Sequence, residues 1–530
     1  MSRPTSPPAS HEHRRAEVRP GNQARTGLIR AWLTDLDNQL MLLIVVFTLP
    51  LSLPALRSFF TFDDLMNLHY YLQRPWLSLL SNLIVFTSLH RPLGALVYLP
   101  LYATAGLDPV PYYLVGILFF SLNILLAYRL FLHLTGSRFA TVLAATLFAL
   151  HPTIHNVLYN FGAVYELACL TFVQSSLLLF IRWSGSSGVA GAPSGRSRPV
   201  TSAGRSSGRA RRFLSPPYIL SLLCFVAALN AKETAVTLPG ILFAYAWLYG
   251  QDMEAGLRRI WSSLRAIGPF LLLTLPYTLA KALGSEAYWR DNALYVYHFD
   301  LGILRRLALY LDQVSNQEIS FSVPTGLVVI GLTLLAGLLW RNRGILFGLC
   351  WAGLTLLPVL PLPRVWGLFL YLPMIGFALV TASLISEVGG RLARGVAGAR
   401  LGNVRLGRGA TLILTGLFLF RMLGAMTPDI DRSRRLLYQE RNPGWRPFAE
   451  QLYALYPELP PASVLAFVTP PFDPDSAERW CLHFLVWLKY GDDIRVLRLP
   501  QERARLEASV GRGARIHVLA WDGTQLRETK

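Results

Sequence analysis

The stretch QLMLLIVVFTLPLSLPALRSFFTFDDLMNLHYY, residues 39–71, joins an uncharged apolar run to two adjacent carboxylates, Asp63 and Asp64. The run from Gln39 to Leu56 is long enough to cross a bilayer. The acids therefore stand where a chain has just left a membrane. Charge at that depth costs free energy unless it is solvated or used.

Composition extends the reading to the whole chain. Of 530 residues, 53% are hydrophobic and only 15% charged, where a soluble domain carries about 25% charged residues. Mean hydropathy is positive. Apolar runs recur from Leu40 to Met426, near 38–57, 112–132, 138–151, 163–181, 217–231, 234–249, 266–283, 325–340, 344–360, 365–385 and 409–427. The fold class expected is an all-α polytopic membrane protein of about eleven spans, with a small α/β domain at its C-terminal end.

The net charge of +19 does not mark a nucleic-acid binder, because the basic residues cluster between apolar segments. Lys and Arg gather in cytoplasmic loops, so they mark topology instead. Residues 182–216 hold seven arginines and no acid in a Gly/Ser/Pro-rich linker, and 387–408 hold five arginines against Glu387. Residues 250–265 set Arg258, Arg259 and Arg265 against Asp252 and Glu254. All three are placed inside. The polar, basic, Pro-rich segment 1–30 then becomes a disordered cytoplasmic arm and 31–427 the transmembrane domain. The outer face receives 58–111, 284–324 and an extracytoplasmic domain at 428–530. PWLSLLSNLIVF (75–86) and PLGALVYLPLYATAG (92–106) are short and flanked by proline. Parity requires both or neither to cross; they are expected to lie as juxtamembrane helices in the first outer loop.

The tail alternates helical patterns with short β-branched runs such as ASVLAFVT (462–469) and ARIHVLAWDG (514–523). Cys169, Cys224 and Cys350 lie in apolar segments and Cys481 in the tail, which implies no disulfide framework. No P-loop, GxGxxG turn, CxxC or HExxH motif is present. The residues name no cofactor and no metal ligand set, and leave a divalent-cation requirement open.

On this map the embedded polar residues fall at one membrane boundary. They are Asp63 and Asp64, then His90 and Arg91, then His151, His155, Asn156, Asn160 and Glu166. Lys232, Glu233 and Arg364 follow, with Tyr371 a little deeper. Each has a plainer explanation. An aspartate can N-cap the next helix; His151–Pro152 can end one; Lys232–Glu233 can be solvated in a turn; Arg91 and Arg364 can snorkel. Gathering on one face is what separate plain explanations do not require. The chemistry that suits such a set is group transfer from a lipid-linked phosphate: a carboxylate takes the proton of an attacking hydroxyl and cations hold the departing phosphate.

Several segments in order carry a family likeness. They are FDDLMNL (62–68), HRPLGALVYLPLYATAGLDPVPYYLVGILFFSLNILLAYRLFLHLTG (90–136), LFALHPTIHNVLYNFGAVYELACL (147–170), NAKETAVTLPGILFAYAWL (230–248) and RVWGLFLYLPMIGFAL (364–379). Together they resemble the GT-C superfamily of membrane glycosyltransferases, in particular protein O-mannosyltransferase-like and related bacterial enzymes. The resemblance implies a polyprenyl-phosphate-linked sugar donor, a cell-membrane location and juxtamembrane helices in the first outer loop. It also implies a catalytic acid in that loop, matched by Asp63 with Asp64 beside it. Lys232 resembles a phosphate-binding base, Arg91 and Arg364 its helpers, and Glu166 a second acid. His90, His151, His155 and Glu233 join the expected substrate-binding set. The TPR arrays of animal O-mannosyltransferase relatives are absent, so the acceptor does not carry over. The expected function is an inverting glycosyltransferase acting on an extracytoplasmic acceptor hydroxyl of protein, lipid or polysaccharide. The rival class is a non-enzymatic transporter or assembly partner for envelope lipid or polysaccharide, which should show charges or broken helices at mid-membrane.

Overall fold

The computed structural model describes Trp32 and residues 34–85, 91–186, 213–250, 257–283, 296–396, 408–441, 445–471, 479–499, 501–510 and 514–529. The first arm, most of the basic linker and His90 lie outside the described residues.

Helix α1 (Leu36–Ser52) starts on Asp35, whose Oδ1 accepts from the Asn38 N–H at 3.1 Å. Pro50 and a 3₁₀ turn at Leu53–Arg57 bring it to an end. The chain then runs extended into α2 (Phe62–Leu72), α3 (Trp76–Val85) and α4 (Pro92–Ala105). With 10 and 14 residues, α3 and α4 span about 15 and 21 Å, less than the roughly 30 Å of a hydrocarbon core.

A helical hairpin follows. Asp108 caps α5 (Pro109–Thr135), with Pro109 at its first position, and Gly136 ends it in the left-handed region at φ +62°. Ser137 caps α6 (Arg138–Leu150). At His151–Pro152 the chain bends by 52° into α7 (Pro152–His155), because proline removes a helical hydrogen bond. Helix α8 (Val164–Ser186) packs on α9 (Pro216–Ala231), and α10 (Leu238–Tyr249) and α11 (Leu257–Leu283) follow. Then come α12 (Gly302–Val314), α13 (Val323–Leu339), α14 (Arg343–Leu356), α15 (Pro373–Val396) and α16 (Arg408–Arg441).

Every apolar run marked in the sequence coincides with a helix, yet only six described helices are long and apolar enough to cross a membrane, or seven if the bent pair at Pro152 counts as one. The expected count of eleven is not reached by that measure. Pro216–Ala231, Val323–Leu339 and Arg343–Leu356 are apolar but shorter. All four cysteines are free thiols.

Helices α14 and α15 cross backbone to backbone. A Cβ on Gly376 would stand 2.5 Å from the Gly348 carbonyl oxygen and 2.6 Å from the Ala352 nitrogen. No side-chain rotation relieves a clash with main chain. We expect Gly376→Leu to cost about 3 kcal/mol or more, read as a lowered melting temperature in detergent. Gly416→Leu, at a glycine facing open space, should melt like the wild type; equal melting of the two variants would refute the crossing.

The tail forms the small α/β unit expected. Its sheet has the order β2-β1-β3-β4, from β1 (Val464–Thr469), β2 (Arg495–Arg498), β3 (Ile516–Trp521) and β4 (Leu526–Glu528). Strand β1 is parallel to both neighbours, in register Val464 with Arg495 and Val464 with Ile516, while β4 folds back antiparallel on β3. Being central, β1 buries Val464 to Phe467 without alternation. Helix α17 (Trp445–Leu455) precedes the sheet; α18 (Arg479–Tyr490) and α19 (Arg503–Val510) are the parallel crossovers. Helix α18 lies on α2, with the His69 ring 4.4 Å from Trp487 and Phe62 6.0 Å from Phe484, and the Tyr102 hydroxyl donates to the Leu488 carbonyl at 2.7 Å.

Candidate active site

The two acids at the start of α2 are held very differently. Thr61 is the N-cap. Asp64, at the third helical position, reaches back: its Oδ2 accepts from the Thr61 N–H at 2.7 Å and from the Thr61 hydroxyl at 2.9 Å. That is the return arm of a capping box. Its Oδ1 accepts from the Tyr98 hydroxyl at 3.3 Å. Asp64 is wholly buried, and burial, outweighing the Thr61 hydrogen bonds, pushes its pKa up to about 7. Asp63 stands about 100° around the helix and is half-buried. It makes no hydrogen bond or ion pair with a described residue. So the capping role suggested for either acid falls to Asp64, which leaves the Asp63 carboxylate disengaged.

The loop after α7 backs this turn. Asn160 Oδ1 accepts from the Thr61 hydroxyl at 3.2 Å and from the Gly162 N–H at 3.0 Å. A Cβ on Gly162 would meet the Cβ of Asp63 at 2.9 Å, so only glycine lets the loop lie this close.

A second group gathers the charges. Lys232 follows α9 in extended conformation, φ −157° and ψ 146°, and successive side chains on extended backbone diverge. Lys232 turns inward to an ion pair with Glu166, both side chains buried. Glu233 turns to Arg91, whose Nε and Nη2 donate to its Oε2 at 3.4 and 3.3 Å. Arg91 sits at φ +45°, in the left-handed region, before Pro92. Its guanidinium lies over the Tyr165 ring, 4.9 Å from the centroid. The Lys232 ammonium lies 5.3 Å from the Phe369 ring, Phe369 packs on Trp366 at 5.8 Å, and Arg364 stacks on Trp366 at 4.4 Å.

Tyrosines connect the two groups. The Tyr71 hydroxyl donates to the Arg91 carbonyl and also meets the Tyr165 hydroxyl, each at 2.8 Å. The Tyr98 ring, whose hydroxyl reaches Asp64, lies 5.9 Å from Tyr71 and 6.3 Å from Tyr165. None of these tyrosines was singled out from sequence; a tyrosine among apolar residues reads as core until its hydroxyl partner is known.

The structure thus brings together Arg91, Glu166, Lys232 and Glu233, and Tyr71, Tyr165 and Tyr98 connect Arg91 to Asp64, with Asp63 next to it in the helix. Neither His151 nor His155 bonds a member of either group, and His90 lies outside the described residues. His151 Nε2 bonds the Val314 carbonyl at 3.0 Å and its Nδ1 accepts from the Thr153 N–H at 3.3 Å, while His155 Nε2 bonds the Ala149 carbonyl at 2.9 Å. The Tyr371 hydroxyl accepts from Asn123 at 3.0 Å inside the bundle. Among the described residues no group of three or more His, Cys, Asp or Glu side chains could hold a metal ion.

No family model matches the chain, and no curated protein is similar to it. Solved structures similar to it include the crystal structure of ArnT from Cupriavidus metallidurans bound to undecaprenyl phosphate, with 13% sequence identity, a TM-score of 0.45, and coverage of 91% of this chain and 93% of that one.

Proposed function

We propose that the chain is a membrane glycosyltransferase of the GT-C type, which moves a sugar from a polyprenyl-phosphate donor to an acceptor hydroxyl with inversion. Asp63 removes the hydroxyl proton as the oxygen attacks the anomeric carbon. The bond from that carbon to the phosphate oxygen breaks, and the polyprenyl phosphate leaves onto the cations of Arg91 and Lys232. Product sugar and protonated Asp63 balance the step. The observation that carries this reading is the division within the acid pair: Asp64 is enclosed and engaged in capping, while Asp63 is accessible. Tyrosines connect Asp64, next to Asp63, to the charged residues that suit a leaving phosphate.

Incubating the purified protein with labelled polyprenyl-phosphate sugars and a panel of acceptors tests it. The expected result is loss of label from the donor with release of polyprenyl phosphate. Uptake of intact donor into vesicles without bond cleavage would replace the enzyme by a transporter.

The orientation belongs to the same proposal: the segments 1–30 and 182–216 inside, the site and the tail outside. Single cysteines placed at Gly195 and Thr524 should label from opposite sides of sealed vesicles. Labelling of both from one side overturns the orientation.

A further inference from the structure

The charged group contains as many carboxylates as cations: Glu166 and Glu233 against Lys232 and Arg91. Their four formal charges cancel, so an arriving phosphate finds no surplus cation among these residues. A phosphate seated on Arg91 or Lys232 competes with the carboxylate already there. The two pairs are not equal. Glu166 and Lys232 are both enclosed, with side chains 7% and 6% exposed, whereas Glu233 and Arg91 are 38% and 21% exposed. The Arg91–Glu233 contact is also long, at 3.3 and 3.4 Å to one oxygen, against about 2.7–2.9 Å for a strong charge-assisted bond. Arg91 is fixed independently of Glu233: Tyr165 lies against the guanidinium and Tyr71 holds the carbonyl.

Resting on the donor class proposed above, we infer that Glu233 occupies the anion seat on Arg91 and that the phosphate of the donor displaces it. Glu233 acts as a placeholder. It keeps a partly enclosed guanidinium paired while the site is empty, which avoids the cost of a lone buried charge. It gives up its contact with Arg91 when a stronger anion arrives. The seat selects a phosphate because the planar guanidinium offers paired donors that a phosphate fills with two oxygens, where Glu233 supplies one.

The test is the affinity of the purified protein for undecaprenyl phosphate, without sugar or acceptor, in four forms: wild type, Glu233→Gln, Arg91→Gln and the double variant. Removing the competing charge should tighten binding by about ten-fold in Glu233→Gln, the equivalent of one charge-assisted contact. The gain should vanish in the Arg91→Gln background. Glu233→Asp, one methylene shorter, should also bind more tightly, and serves if the glutamine variant does not fold. Binding in wild type that is unchanged or weaker in folded Glu233→Gln overturns the placeholder and leaves the donor class standing. Absence of binding in every form, wild type included, overturns the donor class and the placeholder with it.

Discussion

Asp63→Asn is expected to insert and melt like the wild type while losing transfer by about a hundred-fold or more. Asp63 has no described partner whose loss would unsettle α2, so the amide costs little structurally. It removes only the capacity to take a proton. Asp64→Asn provides the contrast. The Asp64 pKa near 7 is raised chiefly by burial. A folded-state pKa above the unfolded value means that the protonated form is the better folded one. Its stabilising share is complete below the unfolded pKa and is lost as pH rises through 7. Asparagine mimics that protonated form: its oxygen accepts from the Thr61 N–H and its NH₂ can donate to Tyr98. Asp64→Asn should therefore keep transfer within about ten-fold of wild type and flatten the fall in stability between about pH 4 and 7. Transfer by Asp63→Asn at near wild-type rate would remove Asp63 from the chemistry; a dead but folded Asp64→Asn would move the base one residue along.

Lys232→Ala should do two kinds of damage. It leaves the Glu166 carboxylate buried without its cation, a loss of about 3–5 kcal/mol, and it removes a charge meant for the leaving phosphate. The effects separate in a compensated variant. Lys232→Met with Glu166→Gln buries no net charge and should recover most of the melting temperature, while affinity for polyprenyl phosphate stays low. A double variant that melts normally and also binds the phosphate like wild type would reduce Lys232 to a scaffold residue.

Much of this was legible from residues alone, because bilayer length and charge deficit act locally. Each marked apolar run fell on a helix, and Asp63 and Asp64 fell on a helix start. What stayed hidden was pairing. Lys232 and Glu233 read as neighbours in one turn, but extended backbone sends them to different partners: Glu166 lies 66 residues away and Arg91 lies 142 from Glu233. No periodicity reports such distances. Length and composition mark six spans among the described helices, or seven with the bent pair, against the eleven expected. Pro216–Ala231 has only 16 residues, and whether a short apolar helix crosses is decided by its packing. His151 and His155 look like ligands in sequence; the carbonyls they bond belong to Val314 and Ala149, and only the first of these is remote. Tyr71, Tyr98 and Tyr165 gave no signal, since an aromatic ring and its hydroxyl serve core packing and polar contact alike.

The docking of α18 on α2 has a bearing on how the protein is made. Tyr102 and its acceptor Leu488 are 386 residues apart, so during translation the loop with the two acids emerges long before the element that covers it. At about 5–20 residues per second, that loop waits for some tens of seconds with Phe62 and His69 uncovered. The interval is one in which a chaperone or protease can act on the nascent chain. It also means that a ribosome stalled upstream of Arg479 delivers a bundle whose acid-bearing loop is unfinished, and pulse-labelled chains should acquire protease resistance around Phe62 only after α18 has been released.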